Sequence, residues 1–215
     1  MTIWRLFVAM VLALLCANYC LSGEWPQPPP GQPIQIKSQV KYDPTLSDPF
    51  FKSDEWSYPW WIIRHDDGTI ENTAGGPTDE SQLPRLKHTA RCFTSFQGDH
   101  WINFCDARRL DGDKMEIYIH YGDAAYSDNL RIEISNGAFE SQYWTYYKRV
   151  IIGEAGPTWT TKKQALTLDK QAYRKGDVIK GRIDIEVVDE LINPEFPDRP
   201  PRPITFRGVF KTIVE

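Results

Sequence analysis

The chain has 215 residues, 25 basic and 29 acidic, for a formal net charge of −4, and 41% of it is hydrophobic. That length accommodates one large domain with a sizeable core or two small ones. The composition excludes disordered, collagen-like and multi-spanning membrane classes, and the acidic balance disfavours nucleic acid as a partner.

Residues 1–23 carry one basic residue, Arg5, then an apolar run from Leu6 to Cys16, then small and polar residues around Ala17, Ser22 and Gly23. Eleven apolar residues are too few for a spanning helix, which needs about 20, and match the core of a secretory signal. The expectation is a signal peptide over 1–23 and a periplasmic or secreted location. Cleavage is open between a cut after Ala17 and one after Ser22. Bacterial lipoproteins resemble this start, with a cysteine closing the apolar run, but they place small residues before it; here Leu15 precedes Cys16 and Tyr19 precedes Cys20. Membrane contact is therefore expected only through a lipid anchor that the sequence matches poorly. None of the six asparagines heads an Asn-X-Ser/Thr acceptor, which leans toward a bacterial envelope compartment.

Residues 24–33, Glu-Trp-Pro-Gln-Pro-Pro-Pro-Gly-Gln-Pro, form a stiff extended tether that neither helix nor central strand tolerates. It reads either as a spacer or ligand segment, or as an unpacked arm. From Ile34 to the C-terminus, period-two alternation dominates and helical periodicity is absent, which predicts one all-β domain over 34–215.

Glu55-Trp56-Ser57-Tyr58-Pro59-Trp60-Trp61 is the densest aromatic patch in a chain that is 13% aromatic. Adjacent Trp60 and Trp61 cannot both face inward on a regular strand, so one is expected exposed, covered by the arm, or used at an interface. Packing under a loop is the alternative. Further on, Cys92 and Cys105 flank a segment centred on Gly98-Asp99. A two-residue hairpin loop there would set Cys92 opposite Cys105, with Cα atoms about 4.5 Å apart, and predicts a cross-strand disulfide in an oxidising compartment. Two free buried thiols are the alternative.

Met115, Ile117, Ile119 and Tyr121 share one strand face, with Glu116, Tyr118 and His120 on the other. Asn136-Gly137 is a strong hairpin signal that pairs Ile134 with Phe139, Ile132 with Ser141 and Leu130 with Tyr143, leaving Arg131, Glu133, Glu140 and Gln142 toward water. In the C-terminal third, Tyr173, Gly176-Asp177, Ile179, Gly181 and the alternation Ile183, Ile185, Val187 read as strand, turn and strand. Over Tyr173 to Val187 this resembles the strand-turn-strand of macroglobulin-type and arrestin-type immunoglobulin-like sandwiches. The resemblance implies a two-sheet sandwich and no particular activity. Roughly ten strands are expected in two packed sheets, the last near Ile204 to Val214. Before it runs a connection, Glu190 to Pro203, with five prolines, either a binding loop or a floppy hairpin tip.

The histidines His65, His88, His100 and His120 fall in separate segments with no metal-ligand spacing, so neither metal nor cofactor is expected. His65-Asp66-Asp67-Gly68 and Asp111-Gly112-Asp113 read as turns rather than as acid-base or calcium sites. No nucleophile elbow or phosphate loop is present, and the chain is expected not to be an enzyme. It reads as an exported binding protein of the bacterial envelope with a protein partner. In class it resembles envelope immunity proteins that occlude a toxin. Partner contacts are assigned to Trp56, Tyr58, Trp60 and Trp61, and to Pro194, Phe196 and Arg199 of the proline-rich connection. The competing reading is a carbohydrate-binding module or glycan hydrolase that stacks sugars on exposed tryptophans.

Overall fold

The computed structural model describes Trp25 and residues 36–96, 100–122, 126–147, 159–189, 201 and 203–215. The expected signal segment, the tether apart from Trp25, the Gly98-Asp99 turn, and Pro194, Phe196 and Arg199 lie outside the described residues.

In chain order the strands are β1 (Ser38–Gln39), β2 (Lys41–Tyr42), β3 (Trp56–Ser57), β4 (Ile62–Arg64), β5 (Ile70–Asn72), β6 (Leu86–Lys87), β7 (Ala90–Thr94), β8 (His100–Ile102), β9 (Phe104–Arg109), β10 (Met115–Gly122), β11 (Tyr126–Ser135), β12 (Ala138–Tyr147), β13 (Trp159–Leu168), β14 (Val178–Asp189) and β15 (Pro203–Ile213). Helix among the described residues is confined to two 3₁₀ turns, Pro49–Lys52 and Glu80–Gln82, so none is long and apolar enough to cross a membrane. The chain is all-β.

Five strands order as β1-β12-β11-β10-β9 and six as β2-β13-β14-β15-β7-β8, with β3-β6 and β4-β5 as separate ribbons. Among the described residues strand pairing is antiparallel except for β2 on β13 and a single parallel bridge between Ala107 and Val214. The chain itself joins the two large sheets at both edges. At one edge it passes from β1 to β2 through Val40, whose N–H donates to the Gly137 carbonyl at 2.9 Å. At the other it passes from β8 to β9 through Asn103, whose carbonyl accepts from the N–H groups of Thr89 and Ala90. Both crossings keep backbone groups satisfied while the strand changes sheet.

One buried cluster draws from both sheets, with Ile117, Ile119, Leu130, Ile132 and Tyr143 facing Trp159, Ile183, Ile185, Phe206 and Phe210. Full burial of each such aliphatic side chain contributes about 1.5–3 kcal/mol. A polar tie crosses the core: the Gln164 carboxamide oxygen accepts from the N–H and hydroxyl of Ser141, and its NH₂ donates to the Ser38 hydroxyl at 3.1 Å.

The Asn136-Gly137 hairpin has the expected register, Ile134 on Phe139, Ile132 on Ser141 and Leu130 on Tyr143. Asn136 (φ 53°) and Gly137 (φ 73°) both lie in the left-handed region that a type I′ turn requires. Gly176 (φ 90°) turns the next hairpin, with the Asp177 carboxylate accepting from the Arg174 N–H, and Ile183, Ile185 and Val187 face the core. His65-Asp66-Asp67-Gly68 and Asp111-Gly112-Asp113 are turns.

The cysteine hairpin departs from expectation. Cys92 pairs with Ile102, not with Cys105, and Thr94 pairs with His100, so five residues rather than two separate the strand ends. Phe96 leaves the ladder to pack on Tyr126, Tyr143 and Trp159, and Ser95 bonds Thr205 instead. Cys105 lies past the sheet crossing, on β9 opposite Ile119. The predicted disulfide is accordingly absent: both cysteines are free, buried thiols on opposite sheets. Burial pushes the Cys92 thiol up to about 12 and the Cys105 thiol well above its ordinary value, the nearby Cys92 adding to the latter shift.

The outer face of the five-stranded sheet is also less solvated than alternation suggests. Glu116 and Tyr118 are buried there, and Arg131, expected toward water, is largely covered and pairs with Glu116.

Candidate functional site

The site builds from the alternation of four strands. With Cys92 turned to the core, Arg91 and Phe93 of β7 point out. On β15, Phe206 and Phe210 turn inward and Arg207 and Val209 outward; on β14, Ile183 and Ile185 turn inward and Arg182 and Asp184 outward. Register then aligns two rows on the outer face of the six-stranded sheet. Trp101, Phe93, Arg207 and Asp184 form one, and Arg91, Val209 and Arg182 form the next. Together with Asp48 and Pro49 they line an open groove of about 570 Å³, a volume typical of ligand clefts.

Trp101 is 51% exposed and meets Phe93 edge to face at 5.6 Å. The Arg91 guanidinium lies 5.7 Å from the Trp101 ring centroid and reaches the Glu55 carboxylate at 3.7 Å. Asp184 accepts from Arg207 Nε at 3.1 Å and from Lys163 Nζ at 3.2 Å. Partial burial works to raise the Asp184 carboxyl, but these two hydrogen bonds outweigh it and leave it below the usual value. Arg182 has no ion pair among the described residues. Three guanidiniums against Asp48 and Asp184 leave the groove lining one positive charge in excess, with Glu55 beside Arg91 and Asp43 held down in part by Arg182 at its margin.

Glu55 leads into the aromatic patch that the sequence marks. Trp56 is 39% exposed with the Arg85 guanidinium 4.2 Å from its ring centroid, and meets Tyr58 edge to face. The Tyr58 hydroxyl donates to Glu80 at 2.8 Å, a bond that holds the phenol above its usual value. Trp60 is exposed and Trp61 half-buried, their rings at 90° and 5.6 Å apart. Trp60 is the more exposed ring, but the two meet edge to face in the turn before β4 rather than standing on opposite faces of a strand, with Pro59 and Ile62 buried beside them.

Four of the seven expected contact residues, Trp56, Tyr58, Trp60 and Trp61, thus share one surface segment. The sequence reading misses Trp101 and the arginines, which come from four strands. Outward alternation from Cys92, Phe206 and Ile183 is the signal that would have found them.

A second polar cluster sits near the Phe96 end of the core. The buried Asp128 carboxylate accepts from the Tyr143 hydroxyl and pairs with His100 Nε2 at 2.6 Å, tying β8 to β11. His120 pairs with Asp106 at 3.0 Å. Among the described residues no group of three or more His, Cys, Asp or Glu side chains converges to hold a metal.

No protein-family model, curated protein or solved structure matches this chain.

Proposed function

We propose that this chain is an exported, non-enzymatic binding protein of the bacterial envelope. It holds an acidic segment of a protein partner in the Trp101–arginine groove, in the manner of an immunity or inhibitor protein that occludes a toxin. The carrying observation is the row of Trp101, Phe93 and Arg207 beside Arg182, which makes no ion pair within 4 Å among the described residues. Tryptophan, tyrosine and arginine dominate the energetics of protein interfaces, because large rings and planar guanidiniums bury much surface at low entropic cost. The Arg91–Glu55 pair continues this surface toward Trp56, Trp60 and Arg85. In this reading the sheets form an immunoglobulin-like sandwich, supported by two sheets that share one core and are joined at both edges.

The net charge points to a basic partner, whereas the groove's own charge favours carboxylates. Local charge decides the contact, since surface charges further apart than about 8 Å are screened at physiological salt. The glycan reading has weaker support. A sugar-stacking platform needs coplanar exposed rings, while Trp60/Trp61 cross at 90° and Trp56/Tyr58 at 76°.

The test is capture of partners from the producing cell on wild-type protein and on Trp101→Ala, followed by titration of the purified candidate and, in parallel, a glycan array. The expected result is a protein complex weakened at least 30-fold by Trp101→Ala, an interface-anchor loss of about 2 kcal/mol. Equal affinity of both forms for the candidate would remove the groove from the account. Tight, salt-insensitive glycan binding lost with Trp56, Trp60 or Trp61 would replace it.

A further inference from the structure

The outer face of the five-stranded sheet, opposite in the fold to the groove and independent of it, carries a seat that is already occupied. Trp25, from the proline-rich arm, stacks on Tyr118 with ring centroids 5.5 Å apart at 25°, and the Arg108 guanidinium lies 4.2 Å from the Trp25 centroid. Both contacts are themselves fixed from below. Arg108 Nε donates to Glu116 at 2.6 Å, and the other oxygen of that carboxylate pairs with Arg131. Tyr118 donates its hydroxyl to Asn129 and stacks on His120 at 4.6 Å and Trp144 at 6.1 Å.

An outward-facing carboxylate on an antiparallel sheet is ordinarily solvated. Here Glu116 is fully buried. A buried carboxylate that clamps two guanidiniums holds one of them over an aromatic ligand, and a stack of rings supplies the floor. This is the equipment for recognising an aromatic side chain by stacking and cation–π attraction. The residues that follow Trp25 include prolines at 26, 28, 29, 30 and 33, and extended proline-rich segments dock on aromatic surfaces at low entropic cost.

We propose that this seat recognises the tryptophan of a tryptophan-proline segment, filled in cis by Trp25 and open in trans to another such segment that outcompetes it. A tethered arm has an effective concentration on the order of millimolar. A free peptide of the same sequence therefore displaces it only at about that concentration, and binds at its intrinsic affinity once the arm's indole is gone.

The experiment uses a fluorescein-labelled peptide of residues 24–35, read by anisotropy against the full chain, wild type and Trp25→Ala. The expected result is binding to Trp25→Ala at least tenfold tighter than to wild type. A peptide with alanine in place of tryptophan, or Arg108→Lys added to Trp25→Ala, should lose at least tenfold; lysine keeps the charge on Glu116 but not the planar face. Circular dichroism and thermal melts verify the fold of each variant. Equal binding to wild type and Trp25→Ala, equal binding of both peptides, or no binding of the peptide to folded Trp25→Ala at millimolar concentration would overturn the proposal. Should Trp25→Ala not fold, the nuclear Overhauser contact between the Trp25 and Tyr118 rings in wild type decides. Its loss at 10 mM unlabelled peptide, about ten times the effective concentration, supports exchange at the seat, and its persistence overturns it.

Discussion

Cys92→Ala should make the protein less sensitive to alkali, although it removes a buried side chain. In the folded state burial pushes the Cys92 thiol up to about 12, against an ordinary value of 9.0 that the unfolded chain regains. Between those values the unfolded chain has released a proton that the folded chain still holds. The contribution is present in full below pH 9 and is lost as pH rises, by about 1.4 kcal/mol per pH unit. At pH 10.5 the loss from Cys92 alone is about 2 kcal/mol, a large part of the 5–15 kcal/mol that holds a typical domain together. Cys105 is raised in the same direction, and its titration survives the substitution. Urea midpoints followed by circular dichroism at pH 8, 9, 10 and 10.5 read the effect. Wild type should lose stability more steeply than Cys92→Ala, by about one thiol's worth of slope. Parallel curves would refute the reasoning; were the two cysteines bridged, the order would reverse, because only Cys92→Ala would then carry a buried free thiol, Cys105, to titrate. Alkylation without reductant makes the same distinction: neither Cys92 nor Cys105 should label in the native protein and both should label in urea.

Gly208→Ala should be strongly destabilising, by about 3 kcal/mol at the upper end of overpacking costs, because a Cβ there would sit 2.2 Å from the Arg91 carbonyl oxygen and 2.5 Å from the Cys92 Cα, backbone that cannot move aside; a melting temperature within 2 °C of wild type would contradict this. Asn136→Gly should be nearly neutral while Asn136→Ala costs about 1 kcal/mol, since position 136 sits at φ 53°; equal melts would place the constraint elsewhere. Gln164→Ala should cost about 2–3 kcal/mol by leaving the buried Ser141 N–H without its acceptor, a loss that chemical denaturation measures.

What was legible in the sequence was local. Asn136-Gly137 carries its own backbone requirement, so turn and register follow from two residues, and three cross-strand pairs follow from the register. The Gly176-Asp177 hairpin is legible for the same reason. The cysteine hairpin was not, because its outcome depends on Phe96. Burying that ring among Tyr126, Tyr143 and Trp159 outweighs the two-residue turn, and those three partners lie at least 30 residues away in sequence. Glu116 reads as a solvated residue on an alternating strand; only the neighbouring strands reveal Arg108 and Arg131 on either side. The site divides in the same way. Trp56, Tyr58, Trp60 and Trp61 are adjacent in the chain and stand out by density. Trp101, Arg91, Arg207 and Arg182 become a surface only when β8, β7, β15 and β14 lie side by side.

The central claim is that the Trp101–arginine groove contacts an acidic protein segment, and a photo-cross-linking residue at position 101 tests it most directly. The same probe at Val178 serves as the control, being 46% exposed and outside the groove-lining residues. In the producing cell, the account predicts one dominant protein adduct at position 101 and none at 178. Its cross-linked peptide should be rich in Asp and Glu, and its yield should fall with added salt and with Arg182→Glu. Identical adduct patterns at both positions, or an adduct at 101 unaffected by Arg182→Glu, would contradict it.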